Sequence, residues 1–355
     1  MEYNNEIVQK DLRELIKENI DFSRFNGKSI LITGANGMLA SYLIYFFMYL
    51  NDVNNANIKI YALSRNVEKM KSKFVGNTIR DDVIIISQDV CEKIEIEDNI
   101  DYIIHMASSA NPQSIVNNPI GIIEANIIGT FNVLKLAKEK KSEVIFTSTR
   151  EIYGKMPDNV TLIKEDDMGA LNCFDSRACY PESKRMAETI LINYNLQYGV
   201  KFKNLRIAHS YGPGMNIDND GRIMSDLISD VVYKRDIVLK STGEAKRAFC
   251  YISDAISAIL YVMVNGECSQ AYNIANETEE ISIKNLAELM AKKYSLKVEY
   301  KLETNNSKAY TNFKRVGLDT TKLESLGWKP KVGLEDGIQR TVISFKAREW
   351  GKNEW

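Results

Sequence analysis

The sequence predicts an α/β protein: a doubly wound parallel sheet followed by a smaller carboxyl-terminal lobe. Three observations carry that expectation. Short β-rich runs alternate with stretches long enough for crossover helices, the runs are apolar almost without interruption, and the first ends in a glycine-rich turn. The runs are SILITGA (29–35), IKIYALS (58–64), DVIIISQDV (82–90), DYIIHMA (101–107), EVIFTST (143–149) and FKNLRIAHS (202–210). A parallel strand is covered by helices on both faces, so it has no polar side to show. Past residue 210 the rhythm loosens. YGPGMNIDNDG (211–221) reads as a turn-rich loop and ISIKNLAELMAKKY (281–294) as an amphipathic helix. The expected organisation is a helical extension at 1–26 and a dinucleotide-binding unit at 27–208, to which 247–275 return. A substrate-binding lobe then comprises 209–246 and 276–355.

At 355 residues the chain can bury a sizeable core. Its 46 basic residues nearly cancel 47 acidic ones, and no long block of one sign occurs. That leaves no electrostatic case for a nucleic-acid or membrane partner and favours a small molecule. Five cysteines without CxxC spacing and two histidines do not make a metal site, so the cysteines read as reduced. The amino terminus, MEYNNEIVQKDLRELIKENI, is charged and lacks the apolar core of a signal peptide. The apolar run MLASYLIYFFMYL (38–50) is too short to span a bilayer, and a cytoplasmic location is expected.

The first chemical signal is LITGANGMLASYL (31–43). Gly34 and Gly37, with Ala40 in the third small position, join a buried strand to an apolar helix. Glycines let the backbone turn tightly and approach a pyrophosphate, whose charge the amides and dipole of the helix start stabilise. Gly34, Asn36, Gly37, Met38 and Leu39 are therefore candidate cofactor contacts, with Val90 and Ala107 at the ends of the third and fourth runs. Asp89 suits either a contact to adenine or a capping role. At the end of the second run NAD enzymes carry an acid for the ribose hydroxyls, but here Ser64 and Arg65 stand instead. A hydroxyl and a guanidinium suit a 2′-phosphate, so NADP is favoured over NAD, unless Arg65 is simply a solvated loop residue.

The second signal is CYPESKRMAET (179–189), with Tyr180 and Lys184 four apart. On a helix both side chains share one face, where Lys184 could lower the Tyr180 phenol from its usual pKa of about 10.

With these motifs in place the chain resembles the extended short-chain dehydrogenase/reductases, in their NAD(P)-dependent nucleotide-sugar epimerase/dehydratase branch. The resemblance runs from Lys28 to about Phe345 and rests on TGANGMLA, DYIIHMASSANP, EANIIGTFNVL, TSTREIYG, YPESK, RIAHSYGPGM, KRAFCYISDA and LESLGWKP, in family order. Within the branch, RIAHSYGPGMNIDNDGRIMSDLI and KRAFCYISD look most like UDP-glucuronate decarboxylases. The resemblance implies a Rossmann fold, tightly bound NAD(P), a nucleotide-sugar substrate, and a homodimer formed through the helices containing Asn126 and Tyr180. It also implies a catalytic triad of Thr149, Tyr180 and Lys184, with Glu151 as acid/base or its support. Arg247 would lie near the substrate's diphosphate or sugar, and Arg222 in the nucleotide-facing segment. His209 stands where the family usually has asparagine, and either donates to substrate or packs at the strand end. Transient oxidation at the sugar C4 would lead to decarboxylation of a UDP-uronic acid, with 4-epimerisation and then 4,6-dehydration as alternatives. A non-catalytic dinucleotide sensor would tend to lack the Tyr/Lys pair present here.

Arg150 departs from the branch, which has serine or aspartate there. In an extended segment it points away from the face of Thr149 and Glu151. By resemblance the middle position reaches the sugar's C5–C6 region, where a guanidinium suits a carboxylate. The expectation is therefore a uronic-acid nucleotide substrate whose carboxylate Arg150 holds, the alternative being an arginine that points to solvent.

Overall fold

The computed structural model describes residues 2–75, 80–218, 220–301 and 316–350. α1 (Glu6–Leu15) is begun by Asn5, whose side chain accepts from the N–H groups of Ile7 and Val8. β1 (Ser29–Thr33), α2 (Met38–Asn54), β2 (Lys59–Ser64), α3 (Val67–Met70), β3 (Val83–Ser87) and β4 (Tyr102–His105) follow. Next come α4 (Pro112–Asn117), α5 (Pro119–Lys140), β5 (Glu143–Thr149), β6 (Leu162–Ile163), α6 (Cys179–Tyr198) and β7 (Phe202–Ile207). Prolines open α4 and α5, where the missing N–H has no helical acceptor to lose. The later part holds β8 (Ser210–Tyr211), α7 (Ile223–Val232), β9 (Ile237–Leu239), β10 (Lys246–Arg247), β11 (Cys250–Tyr251), α8 (Ile252–Asn265) and β12 (Gln270–Ile274). It closes with β13 (Ile281–Ser282), α9 (Ile283–Tyr294), β14 (Val298–Tyr300), β15 (Gly317–Leu318), α10 (Thr321–Glu324) and α11 (Leu334–Trp350).

Seven strands form one sheet in the order β12, β7, β5, β4, β1, β2, β3, with every pair parallel. Because β1 has β2 on one side and β4 on the other, the winding reverses there. A crevice then opens at the carboxyl ends of β1 and β4. One apolar cluster, including α2 and α8, packs on one face of the sheet, and a second, including α5 and α6, packs on the other. By length and composition α5 is the described helix long and apolar enough to cross a bilayer, and half of it is buried inside the fold. That burial is what a helix at the centre of a doubly wound domain requires.

Two differences from the sequence reading have physical causes. The seventh strand, β12, reads QAYNI, and its polar residues hide it from a search for apolar runs. Asn273 is nevertheless fully buried, accepting from the Tyr153 hydroxyl at 2.6 Å and donating to the carbonyls of Ile163 and Asp319 at 2.9 and 3.0 Å. The run 202–210 is also broken: β7 stops at Ile207, and His209 adopts a left-handed backbone (φ 38°) that sends β8 to pair with β11.

The amino-terminal extension folds onto the body of the protein. Asp11 of α1 is fully buried and accepts from the Tyr42 hydroxyl of α2 at 2.7 Å and the Tyr251 hydroxyl at 2.8 Å. Arg340 of α11 completes the cluster, 2.7 Å from Asp11, 2.6 Å from Glu14 and 2.8 Å from Asp336.

Candidate active site

The crevice begins at Gly34, whose φ of +69° suits glycine. A Cβ there would lie 2.8 Å from backbone atoms of Met106 and Ala107, so glycine is what lets the ends of β1 and β4 come this close. The two ends are also stitched together. Thr33 Oγ1 accepts from the N–H groups of Met106 and Ala107 at 3.1 and 3.2 Å and donates to His105 Nδ1 at 2.8 Å. Thr130 Oγ1 spends its proton on the Asn126 carbonyl, so the His105 ring carries its own proton on Nε2 and donates it to Thr130 at 3.3 Å. Burial first, and the Lys184 charge second, push the His105 pKa down to about 3, so the ring stays neutral.

Gly37 precedes α2 without a side-chain cap, which leaves the first-turn amides of Met38 and Leu39 to an anionic ligand. Two buried polar atoms at the crevice, Asn36 Oδ1 and Ser108 Oγ, have no hydrogen-bond partner among the described residues. Buried polar groups are otherwise satisfied, so these atoms mark where a ligand's polar groups belong. An uncapped helix start, a glycine cradle and two orphan acceptors together fit a dinucleotide. Asn36 Nδ2 donates to Ser64 Oγ and to the Asn66 carbonyl, both at 2.9 Å, tying the turn to the end of β2. Arg65 is 80% exposed and 3.5 Å from Asp89. Asp89 lies beyond the end of β3 and caps the turn there, accepting from the Cys91 N–H at 2.9 Å, which holds its carboxyl below the usual range. Val90 is buried against Gly129 of α5, where a Cβ would be 2.9 Å from its side chain.

The residues expected to react lie at the end of β5, in the turn after it and at the start of α6. Lys184 is buried, donates to the Thr147 carbonyl at 2.7 Å and lies 4.6 Å from the centre of the Phe146 ring. Burial pushes its pKa down to about 7, against an upward pull from Glu188 one turn on. Tyr180 is buried too, and here the sequence expectation of a lowered pKa needs correction. Burial, then the Glu151 charge, push the phenol well above its ordinary value, while a hydrogen bond with Thr149 and the charges of Arg177 and Arg222 pull the other way. Lys184 directs its ammonium at the Thr147 carbonyl rather than at the phenol.

One residue of this cluster was not singled out in the sequence. Arg177, in the turn Ser176–Ala178 that leads into α6, places Nη2 3.0 Å from both Glu151 oxygens, while its Nε and Nη1 are buried with no hydrogen-bond partner among the described residues. The available signal was its position three residues before Tyr180, on the same side of an incipient helix. Arg150, in the turn directly after β5, donates from Nη2 to the Val316 carbonyl at 3.1 Å. Arg222 is paired with Asp220, and Arg247 of β10 donates to the carbonyl of Lys246 at 2.8 Å. His209 sets its ring 6.1 Å from that of Phe249 in a tilted packing.

Residues 30–275, more than half of the chain, match the sequence model of the NAD dependent epimerase/dehydratase family. The chain belongs to this family. UDP-glucuronic acid decarboxylase 5 of Arabidopsis thaliana is 33% identical over 320 residues, covering 90% of this chain and 89% of the relative. UDP-glucuronic acid decarboxylase 1 of Xenopus tropicalis is 34% identical over 321 residues, covering 90% of this chain and 72% of the relative. Among solved structures, UDP-glucose 4-epimerase of Thermotoga maritima with UDP-glucose superposes with a TM-score of 0.75 at 21% identity, covering 90% of this chain and 99% of that one. The dTDP-glucose 4,6-dehydratase DesIV of Streptomyces venezuelae, with NAD and TYD bound, gives 0.77 at 20% identity, covering 91% and 98%. As a member of the epimerase/dehydratase family the protein is an enzyme of an NAD-dependent class.

Proposed function

We propose that the protein decarboxylates a UDP-linked uronic acid through transient oxidation at the sugar C4. The observation that carries this reading is Arg177. A guanidinium whose charge acts on Tyr180 has two buried donor nitrogens, Nε and Nη1, without a hydrogen-bond partner among the described residues, and either can donate to an oxygen of a substrate carboxylate. Relatives that are 33 to 34% identical and named as UDP-glucuronic acid decarboxylases support it. Tyr180 takes the proton of the C4 hydroxyl, and Thr149, hydrogen-bonded to the same phenol, holds the oxygen in line. Bound NAD(P) in its oxidised form supplies the hydride acceptor and a positive charge that offsets the burial of the Tyr180 phenolate. A ketone at C4 then accepts the electron pair of the C5–carboxylate bond as carbon dioxide leaves, C5 takes a proton, and the hydride returns to C4 while Tyr180 gives its proton back to the C4 oxygen. Glu151, ion-paired with Arg177, is assigned as acid/base or its support, and Arg222 and Arg247 are assigned to the substrate's nucleotide and diphosphate, with His209 beside Arg247's segment.

The rival outcome is C4 epimerisation with the carboxylate retained, because a tight clamp stabilises the ground-state carboxylate and slows its loss. For the cofactor, NADP is favoured by Ser64 and Arg65 at the end of β2, where no acid accepts the ribose hydroxyls. A homodimer through α5 and α6 is supported by their exposed apolar residues Ile120, Phe131, Met186 and Leu196. Mass spectrometry of the product from UDP-glucuronate tests the central reading. Loss of carbon dioxide supports it, an unchanged mass gives epimerisation, and loss of water from UDP-glucose would make the enzyme a dehydratase.

A further inference from the structure

We infer that Lys73 supplies the positive charge that balances the diphosphate of the cofactor, acting through the glycine-rich turn on which its ammonium rests. This rests on the dinucleotide reading of that turn. Lys73 is buried, and its Nζ donates to the Asn36 carbonyl and to Ser41 Oγ, both at 2.8 Å. Ser41 passes the contact on, donating to the Gly37 carbonyl at 2.7 Å. Asn36 reaches the opposite way, to Ser64 and Asn66, so the segment from 64 to 73 grips the turn at two points.

Among the described residues no carboxylate lies within ion-pair distance of Lys73. The charge set against it is that of Lys69, of like sign, one turn earlier. The packed elements offer no relief. β3 carries no titratable side chain, Glu68 of α3 is paired with Lys71, and the Lys59 and Tyr61 of β2 are taken by Asp98, while on α2 Tyr42 is taken by Asp11, Asp52 by Arg80, and Tyr45, packed on Phe74, is kept a neutral phenol by burial. A lysine kept only to tie this segment down could do so as a neutral amine, since both acceptors are uncharged. A buried cation without a counter-charge is unfavourable unless an anion arrives, and this one sits on a turn built to receive one.

Burial, with Lys69, pushes the Lys73 pKa down to about 7 in the protein alone. A bound diphosphate favours the ammonium and raises that pKa. Below pH 7 the proton is present in both states, whereas above it binding must take a proton up, so affinity falls as pH rises past 7.

The test is calorimetry of the full chain, stripped of cofactor, with ADP-ribose as the probe, whose diphosphate does not titrate near neutrality. Two buffers of different ionisation enthalpy at pH 7.5 report the proton count. With a pKa of about 7, the parent should take up roughly 0.7 of a proton per ligand. Lys73→Met should lose most of that uptake and bind about tenfold more weakly at pH 6.5. Lys73→Arg should keep the affinity without the uptake. Equal affinity and equal uptake in the parent and Lys73→Met overturn the inference. If Lys73→Met shows no cooperative melting, the parent decides alone, and an absence of proton uptake overturns it. Failure of ADP-ribose to bind the parent at all overturns the dinucleotide reading beneath it.

Discussion

Arg177 and Glu151 form an ion pair at 3.0 Å beside the Tyr180 phenol, and the two act on that phenol in opposite senses: Glu151 raises its pKa and Arg177 lowers it. One nitrogen of the guanidinium holds the Glu151 carboxylate, while two others are buried without a hydrogen-bond partner among the described residues.

Removing that guanidinium should therefore weaken recognition of a carboxylated sugar. Arg177→Met is expected to lower kcat/KM for UDP-glucuronate by about 10²-fold, with binding of UDP-glucose changed only a few-fold. Arg150→Ser, by contrast, removes a donor to the Val316 carbonyl and should leave the preference between the two sugars nearly unchanged. Steady-state kinetics on both substrates decide. A preference that shifts with Arg150 and not with Arg177 would reverse the assignment.

Tyr180→Phe should abolish turnover while the purified protein keeps its cofactor. Loss of a general base lowers the rate by about 10²- to 10⁴-fold. Absorbance of released dinucleotide, measured beside activity, separates this from misfolding, and full activity would remove Tyr180 from the chemistry.

Glu188 accepts from Ser148 at 2.5 Å and pairs with Arg206 at 2.7 Å, and its charge raises the Lys184 pKa against burial. Protonated Lys184 is lost as pH rises through about 7. Glu188→Gln removes the upward pull, so the alkaline decline of kcat/KM should begin at lower pH. A pH profile with the parent's alkaline limb would show that Glu188 does not tune Lys184.

Arg65→Asp should move cofactor preference from NADP towards NAD, because a carboxylate there accepts from the ribose diol and repels a 2′-phosphate. Titration of both cofactors into parent and variant measures it, and equal ratios would return Arg65 to the status of a surface residue paired with Asp89.

Arg340→Met should destabilise the fold by about 3–5 kcal/mol, since it strands the buried Asp11 carboxylate. Burial already raises the pKa of Asp11, so the double variant Arg340→Met, Asp11→Asn should recover part of the loss. Chemical denaturation of the two variants gives the comparison, and a silent Arg340→Met would detach α1 from the stability of the body.

Much of this protein was legible in the linear chain because the features concerned are local. The apolar run of a doubly covered strand, the spacing of Gly34 and Gly37 between strand and helix, and the four-residue interval of Tyr180 and Lys184 each follow from the geometry of one element. Folding added what depends on which elements meet. Arg150 finds its acceptor 166 residues away at Val316, and β12 is a strand because Asn273 meets partners on β6 and beyond β15. Whether the Tyr180 phenol is raised or lowered is decided by burial and the Glu151 charge on one side and the charges of Arg177 and Arg222 on the other, which come from three separate segments. Periodicity specifies the face a side chain presents, but charge, burial and hydrogen bonding are properties of the surroundings, and only the tertiary structure supplies them.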